Sequence, residues 1–178
     1  YQRPYKWERR HIRNLFYDIR EAVDDNISEY RIGSIILHNK DSENIDIVDG
    51  QQRLTSLFAV MKGIPVIRED YRAEKISIAF NPLAEKFEVT DAAIRRNAEF
   101  IPDISQVWSH DTGVFELTDQ YLSGLRSTRE VTAEEERRIK RAINNLDNIE
   151  NYPFTSLEIS SAANEEQVAV IFVRVNSK

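Results

Sequence analysis

The stretch Ile45-Asp46-Ile47-Val48-Asp49-Gly50-Gln51-Gln52-Arg53-Leu54-Thr55 changes its period in the middle. Alternation up to Val48 predicts a strand. Leu54, Leu57, Phe58 and Met61 then recur at three- and four-residue spacing, which predicts a helix starting just after Asp49 with those four on its apolar face. A strand that runs through Asp-Gly directly into a helix gathers the first backbone N–H groups of that helix, and the positive end of its dipole, at Gly50 to Gln52. Such a junction suits a phosphate or another anion, and Gly50 permits close approach of the backbone to a ligand. Arg53 adds a cation one turn in that can bond an anion through two N–H groups. The same residues also satisfy a plain capping pattern, with Asp49 as N-cap and Gln52 at the third helical position. No standard phosphate-loop motif is present, so the residues alone leave both readings open.

Around this junction the pattern predicts an α+β chain. Pro4 and three aromatics make residues 1–7 an extended arm. Ile12, Leu15, Phe16, Ile19 and Val23 predict an amphipathic helix from Glu8 to Asp25. Strands are expected over Tyr30 to His38, Ile45 to Val48, Lys75 to Phe80, Phe87 to Val89 and Phe154 to Ile159, the first two as a hairpin. Further helices are expected over Asp91 to Phe100 and Phe115 to Leu125, and from a Thr132/Glu135 capping box to Asn148. A last one, capped by Asn164 and Gln167, has Val168, Ile171, Phe172 and Val175 on its apolar face.

A chain of 178 residues buries one sizeable core, and one domain over residues 1–178 is the natural count. The net charge of −6 argues against a surface that coats nucleic acid without selectivity, though not against a local basic groove. With no cysteine, disulfides, thiol chemistry and cysteine-ligated zinc are excluded. The apolar runs are too short to span a membrane, and a cytoplasmic protein is expected. The chain opens on Tyr1 and closes on Val175-Asn176-Ser177-Lys178, which reads as a piece of something longer.

Two further clusters carry functional residue types. Tyr1-Gln2-Arg3-Pro4-Tyr5-Lys6-Trp7 sets an amide, two cations and three aromatics side by side, suited to stacking a base and bonding phosphates, or to packing an arm on the core. Phe172-Val173-Arg174-Val175-Asn176 ends the last helix, where a cation also suits the dipole. His11, His38 and His110 lack metal-ligand spacing. Glu134-Glu135-Glu136-Arg137-Arg138 with Lys140-Arg141 reads as a solvated helix face.

These clusters, in this order, resemble the N-terminal domain of GmrSD-type DNA-defence proteins, over essentially the whole chain. The Asp49-Gly50-Gln51-Gln52-Arg53 core after a strand is the most specific part. The resemblance implies a ParB/sulfiredoxin-like fold, a small mixed sheet with surrounding helices. It implies binding, and in several family members hydrolysis, of a nucleoside triphosphate with Mg2+. That event is coupled to a nuclease domain of the His-Asn-His type and to DNA through the full-length protein, and an oligomer is compatible with it. No such nuclease is expected within these 178 residues. It further implies catalytic roles for Asp49, Gln51, Gln52 and Arg53, with Asp49 also toward the metal. Nucleotide contacts are implied for Gln2, Arg3, Gly50, Arg174 and Asn176, and Tyr5, Trp7 and Thr55 are expected as further nucleotide contacts, with Tyr5 or Trp7 stacking the base. A nucleotide-switched or DNA-reading module without hydrolysis is the alternative.

Overall fold

The computed structural model describes residues 4–24, 33–41, 43–109 and 113–177. Gln2 and Arg3, most of the expected strand start at Tyr30, and His110 lie outside them. The fold is α+β: helices α1 (Arg9–Asp24), α2 (Gln51–Lys62), α3 (Val114–Arg126), α4 (Ala133–Asp147) and α5 (Glu165–Asn176) surround short strands. The strands are β1 (Ile36–Asn39), β2 (Ile45–Asp49), β3 (Pro65–Ile67), β4 (Ala73–Lys75), β5 (Ile78–Asn81), β6 (Lys86–Val89) and β7 (Leu157–Ile159).

The three-stranded sheet has the order β2-β1-β7. β1 and β2 form the expected antiparallel hairpin, with an irregularity between Ile36 and Leu37, and β7 joins β1 in parallel. β3 pairs with β4, and β5 with β6, as two separate antiparallel ribbons. The main core forms where α1 lays Ile12, Leu15, Phe16 and Ile19 on the β5–β6 ribbon. There Phe80 and Phe87 stack at 4.8 Å, and Tyr17 meets Phe87 edge-on at 5.2 Å. A second cluster, with Leu122, Leu125, Ile139 and Ile143, closes α3 on α4. Both expected capping boxes are formed, Thr132 with Glu135 and Asn164 with Gln167. Each satisfies two orphan donors at its helix start.

Several expectations need correcting. The extended run from Lys75 to Phe80 is two strands, because the chain changes partners between them: β4 pairs with β3 and β5 with β6. Asp91 to Phe100 makes only a 3-10 turn at Ile94–Arg96, with the Asp91 carboxylate accepting the Ile94 N–H; the stretch buries no side chain that would hold a longer helix. Among the described residues the first strand of the hairpin starts only at Ile36, and Gly33 bends the chain ahead of it at a φ of +90°. The strand expected from Phe154 is confined to Leu157–Ile159.

The apolar face of α2 is also rotated from the expected one. Phe58 is 58% exposed, while Ser56 is fully buried. Burial of Ser56 is stabilised by a short polar chain. Its hydroxyl donates to the Gln52 carbonyl (2.6 Å), and the Tyr5 hydroxyl bonds Ser56 Oγ at 2.7 Å. Buried polar groups cost stability unless paired, so this pairing is what lets α2 turn a serine inward.

The extended arm is fixed by the same contacts. Tyr5 is 6% exposed and forms an isolated parallel bridge with Arg68. The Arg68 guanidinium lies 5.1 Å from the centre of the Tyr5 ring, donates to the Trp7 carbonyl (2.6 Å) and bonds Glu74 (2.6 Å). Arg9 also bonds Glu74, at 2.8 Å.

Two predictions follow from this anchoring. Tyr5→Phe removes one buried hydroxyl and leaves Ser56 short of a partner, which costs about 1–2 kcal/mol. A thermal melt of the variant should fall by roughly 2–8 °C, and an unchanged melt would refute the role given to the Tyr5–Ser56 bond. The hydrogen bonds from Arg68 and then Arg9 hold the Glu74 carboxyl below the ordinary carboxylate range. A carboxyl lowered by folding contributes stability that is complete above the ordinary range and is lost as pH falls through its lowered value. Chemical denaturation against pH should therefore show a shallower acid-side loss for Glu74→Gln below about pH 4.

Candidate functional site

β2 ends at Asp49 and α2 begins at Gln51, so a single residue turns the chain. Gly50 does this with φ 89° and ψ 0°, a left-handed conformation costly for residues with a Cβ. Space adds to the demand. A Cβ on Gly50 would lie 3.1 Å from Ile35 Cγ1 and 3.3 Å from the Ser34 carbonyl oxygen. Close packing of Gly50 on the chain before β1 is thus part of the hairpin itself.

The helix start is not capped in the expected way. Gly50, not Asp49, is the N-cap, and it brings no side-chain cap to this end of α2. The Asp49 carboxylate turns back to accept the Gly50 N–H at 2.8 Å and lies 3.7 Å from Arg53 Nη2. Gln52 serves the arm instead of the helix start, accepting from Lys6 N (2.9 Å) and Trp7 N (3.3 Å) and donating to the Pro4 carbonyl (3.3 Å). The plain capping box is therefore absent, and the physical reason is the left-handed glycine. It moves the N-cap one residue on and leaves Asp49 in the strand.

Arg53 donates to the Ser34 carbonyl at 2.5 Å. Its guanidinium passes so close to Gly33 that a Cβ there would sit 1.7 Å from Nη1. Arg53 thus ties α2 to the bend before β1 while lining the site with its neighbours.

These residues border a cleft of about 370 Å³, lined by Trp7, Ile47, Val48, Asp49, Gly50, Gln51, Gln52, Arg53 and Phe172. That volume lies within the usual range of small-ligand sites, roughly 300–1,000 Å³. One part of the lining is apolar (Trp7, Ile47, Val48, Phe172), and the other is the polar helix start. The residues come from the arm, the β2–α2 junction and α5, three parts of the chain that sequence separates widely. Among the described residues no group of three or more acidic or histidine side chains is placed to hold a metal.

Sequence reasoning placed several of its candidates here and others elsewhere. Asp49, Gly50, Gln51, Gln52, Arg53 and Trp7 line the cleft together. Tyr5 is a core residue, its hydroxyl on Ser56 and its ring beside Arg68, so its ring is not a wall of the cleft. Thr55 is half-buried one turn into α2 and Arg174 is exposed on α5; neither lines the cleft. Asn176 donates back to the Phe172 carbonyl at 3.0 Å. Gln2 and Arg3 lie outside the described residues. Ile47, Val48 and Phe172 were missed as site residues. Strand alternation puts Ile47 on the face of Asp49, a signal that was legible. Phe172 offered only its place in the helix end already singled out.

The geometry of the turn makes one direct prediction. Gly50→Ala must adopt the left-handed conformation against Ile35 and Ser34, which should cost about 2 kcal/mol or more. Gly113→Ala, where a Cβ meets nothing within 4 Å, should be close to neutral. Equal melting temperatures for the two variants would contradict the strain assigned to the turn.

Comparison with known proteins places the chain in a family. No curated protein matches the chain. The family model described as "GmrSD restriction endonuclease, N-terminal domain" matches residues 1–178, from the arm through the Asp49–Arg53 junction to the end of α5. The chain belongs to the family of GmrSD restriction endonuclease N-terminal domains.

Proposed function

We propose that this domain binds a nucleoside triphosphate in the cleft at the start of α2 and hydrolyses it, as the regulatory part of a restriction protein that acts on DNA through a nuclease domain. The observation that supports this most is the convergence of Trp7, Phe172 and the Asp49–Arg53 junction on one cleft. The polar side offers what phosphates need. The first N–H groups of α2 and its dipole would meet an anion at a helix end whose N-cap, Gly50, brings no side-chain cap. Arg53 lines the same wall and brings the cation that offsets phosphate charge. The apolar side, with Trp7 and Phe172, suits the face of a base.

In this reading Asp49 orients the attacking water and Gln51, which lines the cleft from the first turn of α2, helps position it. A single carboxylate among the lining residues fits Mg2+ held chiefly by the phosphates, with Asp49 supplying one protein oxygen. Bound so, Mg2+ would offset charge on the phosphate oxygens. Gln2 and Arg3 at the arm, and Arg174 on α5, are proposed as outlying contacts. No helix of the described residues is long and apolar enough to cross a membrane, and a cytoplasmic site of action is part of the proposal.

Calorimetric binding and phosphate release with Mg2+ and each common nucleoside triphosphate test the proposal. Arg53→Ala should weaken binding by about 2–4 kcal/mol, the range for truncating one partner of a buried charged contact. Its melt should also fall, because the Ser34 carbonyl loses its donor. Gln51→Ala should keep the melt and lose most of the phosphate release. Full binding by a folded Arg53→Ala protein would overturn the site. Tight binding with no release from the wild type would instead favour a nucleotide-switched module.

A further inference from the structure

Gln52 stands beside Gln51 in the motif, yet its side chain is already engaged. Its carbonyl oxygen accepts from two successive backbone N–H groups of the arm, Lys6 (2.9 Å) and Trp7 (3.3 Å), and its amide donates to the Pro4 carbonyl (3.3 Å). One amide therefore meets three backbone groups across a separation of 46 residues at Lys6. An amide matches this set because it alone among uncharged side chains of that length both accepts and donates. Two other anchors flank it, Arg68 on the Trp7 carbonyl and Ser56 on the Tyr5 hydroxyl. The residue whose backbone is gripped from both sides is Trp7, with Gln52 on its N–H and Arg68 on its C=O. Trp7 is also the arm residue that lines the cleft.

We infer that Gln52 is a positioning residue, which sets the Trp7 ring as a wall of the nucleotide site by clamping the arm to the start of α2, and that it takes no part in the chemistry. The inference rests on the proposed reading of the cleft as a nucleotide site. It assigns the two adjacent glutamines different work. Gln51 faces the ligand and Gln52 holds the wall.

The test is a double-mutant cycle between Gln52→Met, which keeps the bulk of the side chain and loses the three hydrogen bonds, and Trp7→Ala. The probe is a non-hydrolysable nucleoside triphosphate analogue with Mg2+, measured by calorimetry on the whole domain. Each single variant should weaken binding roughly tenfold, and the double variant should bind no more weakly than Trp7→Ala alone. The change in tryptophan emission on saturating analogue should be present in the wild type and lost in Gln52→Met, a signature that a general loss of stability would not produce. If Gln52→Met lacks a cooperative melt, Gln52→Ala, which loses the same three hydrogen bonds and keeps a strong helix former at the position, carries the same cycle. Losses that multiply in the double variant would mean that Gln52 touches the ligand itself and would overturn the inference while leaving the site intact. No binding by the wild-type domain would overturn the reading of the cleft, and the inference with it.

Discussion

The structure depends on one left-handed residue. Because Gly50 turns the chain by itself, the last side chain of β2 and the first turn of α2 are forced together, and the helix start is brought against the bend at Ser34 and Ile35. Any longer connection would separate Asp49 from Arg53 and let a side chain cap the helix. The short one leaves the helix N-terminus to the cleft and turns the neighbouring amide, Gln52, toward the arm. The site is thus a consequence of backbone geometry first and of side-chain chemistry second.

A second layer of interactions carries the arm to that junction. Tyr5 gives it an apolar anchor with a satisfied hydroxyl, and the Arg9–Glu74–Arg68 group adds charged bonds that are partly shielded from water. Exposed ion pairs elsewhere, such as Lys40 with Asp46, contribute little, since water and salt screen them. The contacts under the arm differ in kind, because they pair groups that burial would otherwise leave unsatisfied. The net charge of −6 therefore says little about the cleft, where one carboxylate and one guanidinium sit among backbone N–H groups and aromatic rings.

Much of this was legible in the sequence where local rules govern. The change of period at Asp49, the two capping boxes and the apolar spacing of α1 placed those elements within a residue or two, because propensity and amphipathicity agree there. What was not legible is tertiary in origin. Nothing local shows that Ser56 turns inward, since its partner Tyr5 is 51 residues away. Asp49 and Gln52 matched a capping pattern whose spacing was right, but the φ of +89° at Gly50 shifted the helix start and released both side chains. Arg68, which braces Trp7, carried no sequence signal at all. The apolar face of α5 was read correctly as Val168, Ile171, Phe172 and Val175, all half-buried. That no residue of the helix is fully buried could only be seen in three dimensions.

The central claim is that phosphates rest on the start of α2 with a base beside Trp7 and Phe172. Backbone amide and indole NMR shifts of the isotopically labelled domain, followed during titration with Mg2+ and a nucleoside triphosphate, test it most directly. The account predicts the largest shifts at the amides of Gly50 to Arg53, at the Trp7 indole N–H and near Phe172, all saturating with one affinity. Shifts centred on another surface, such as the charged face of α4, or no shifts at all, would contradict it.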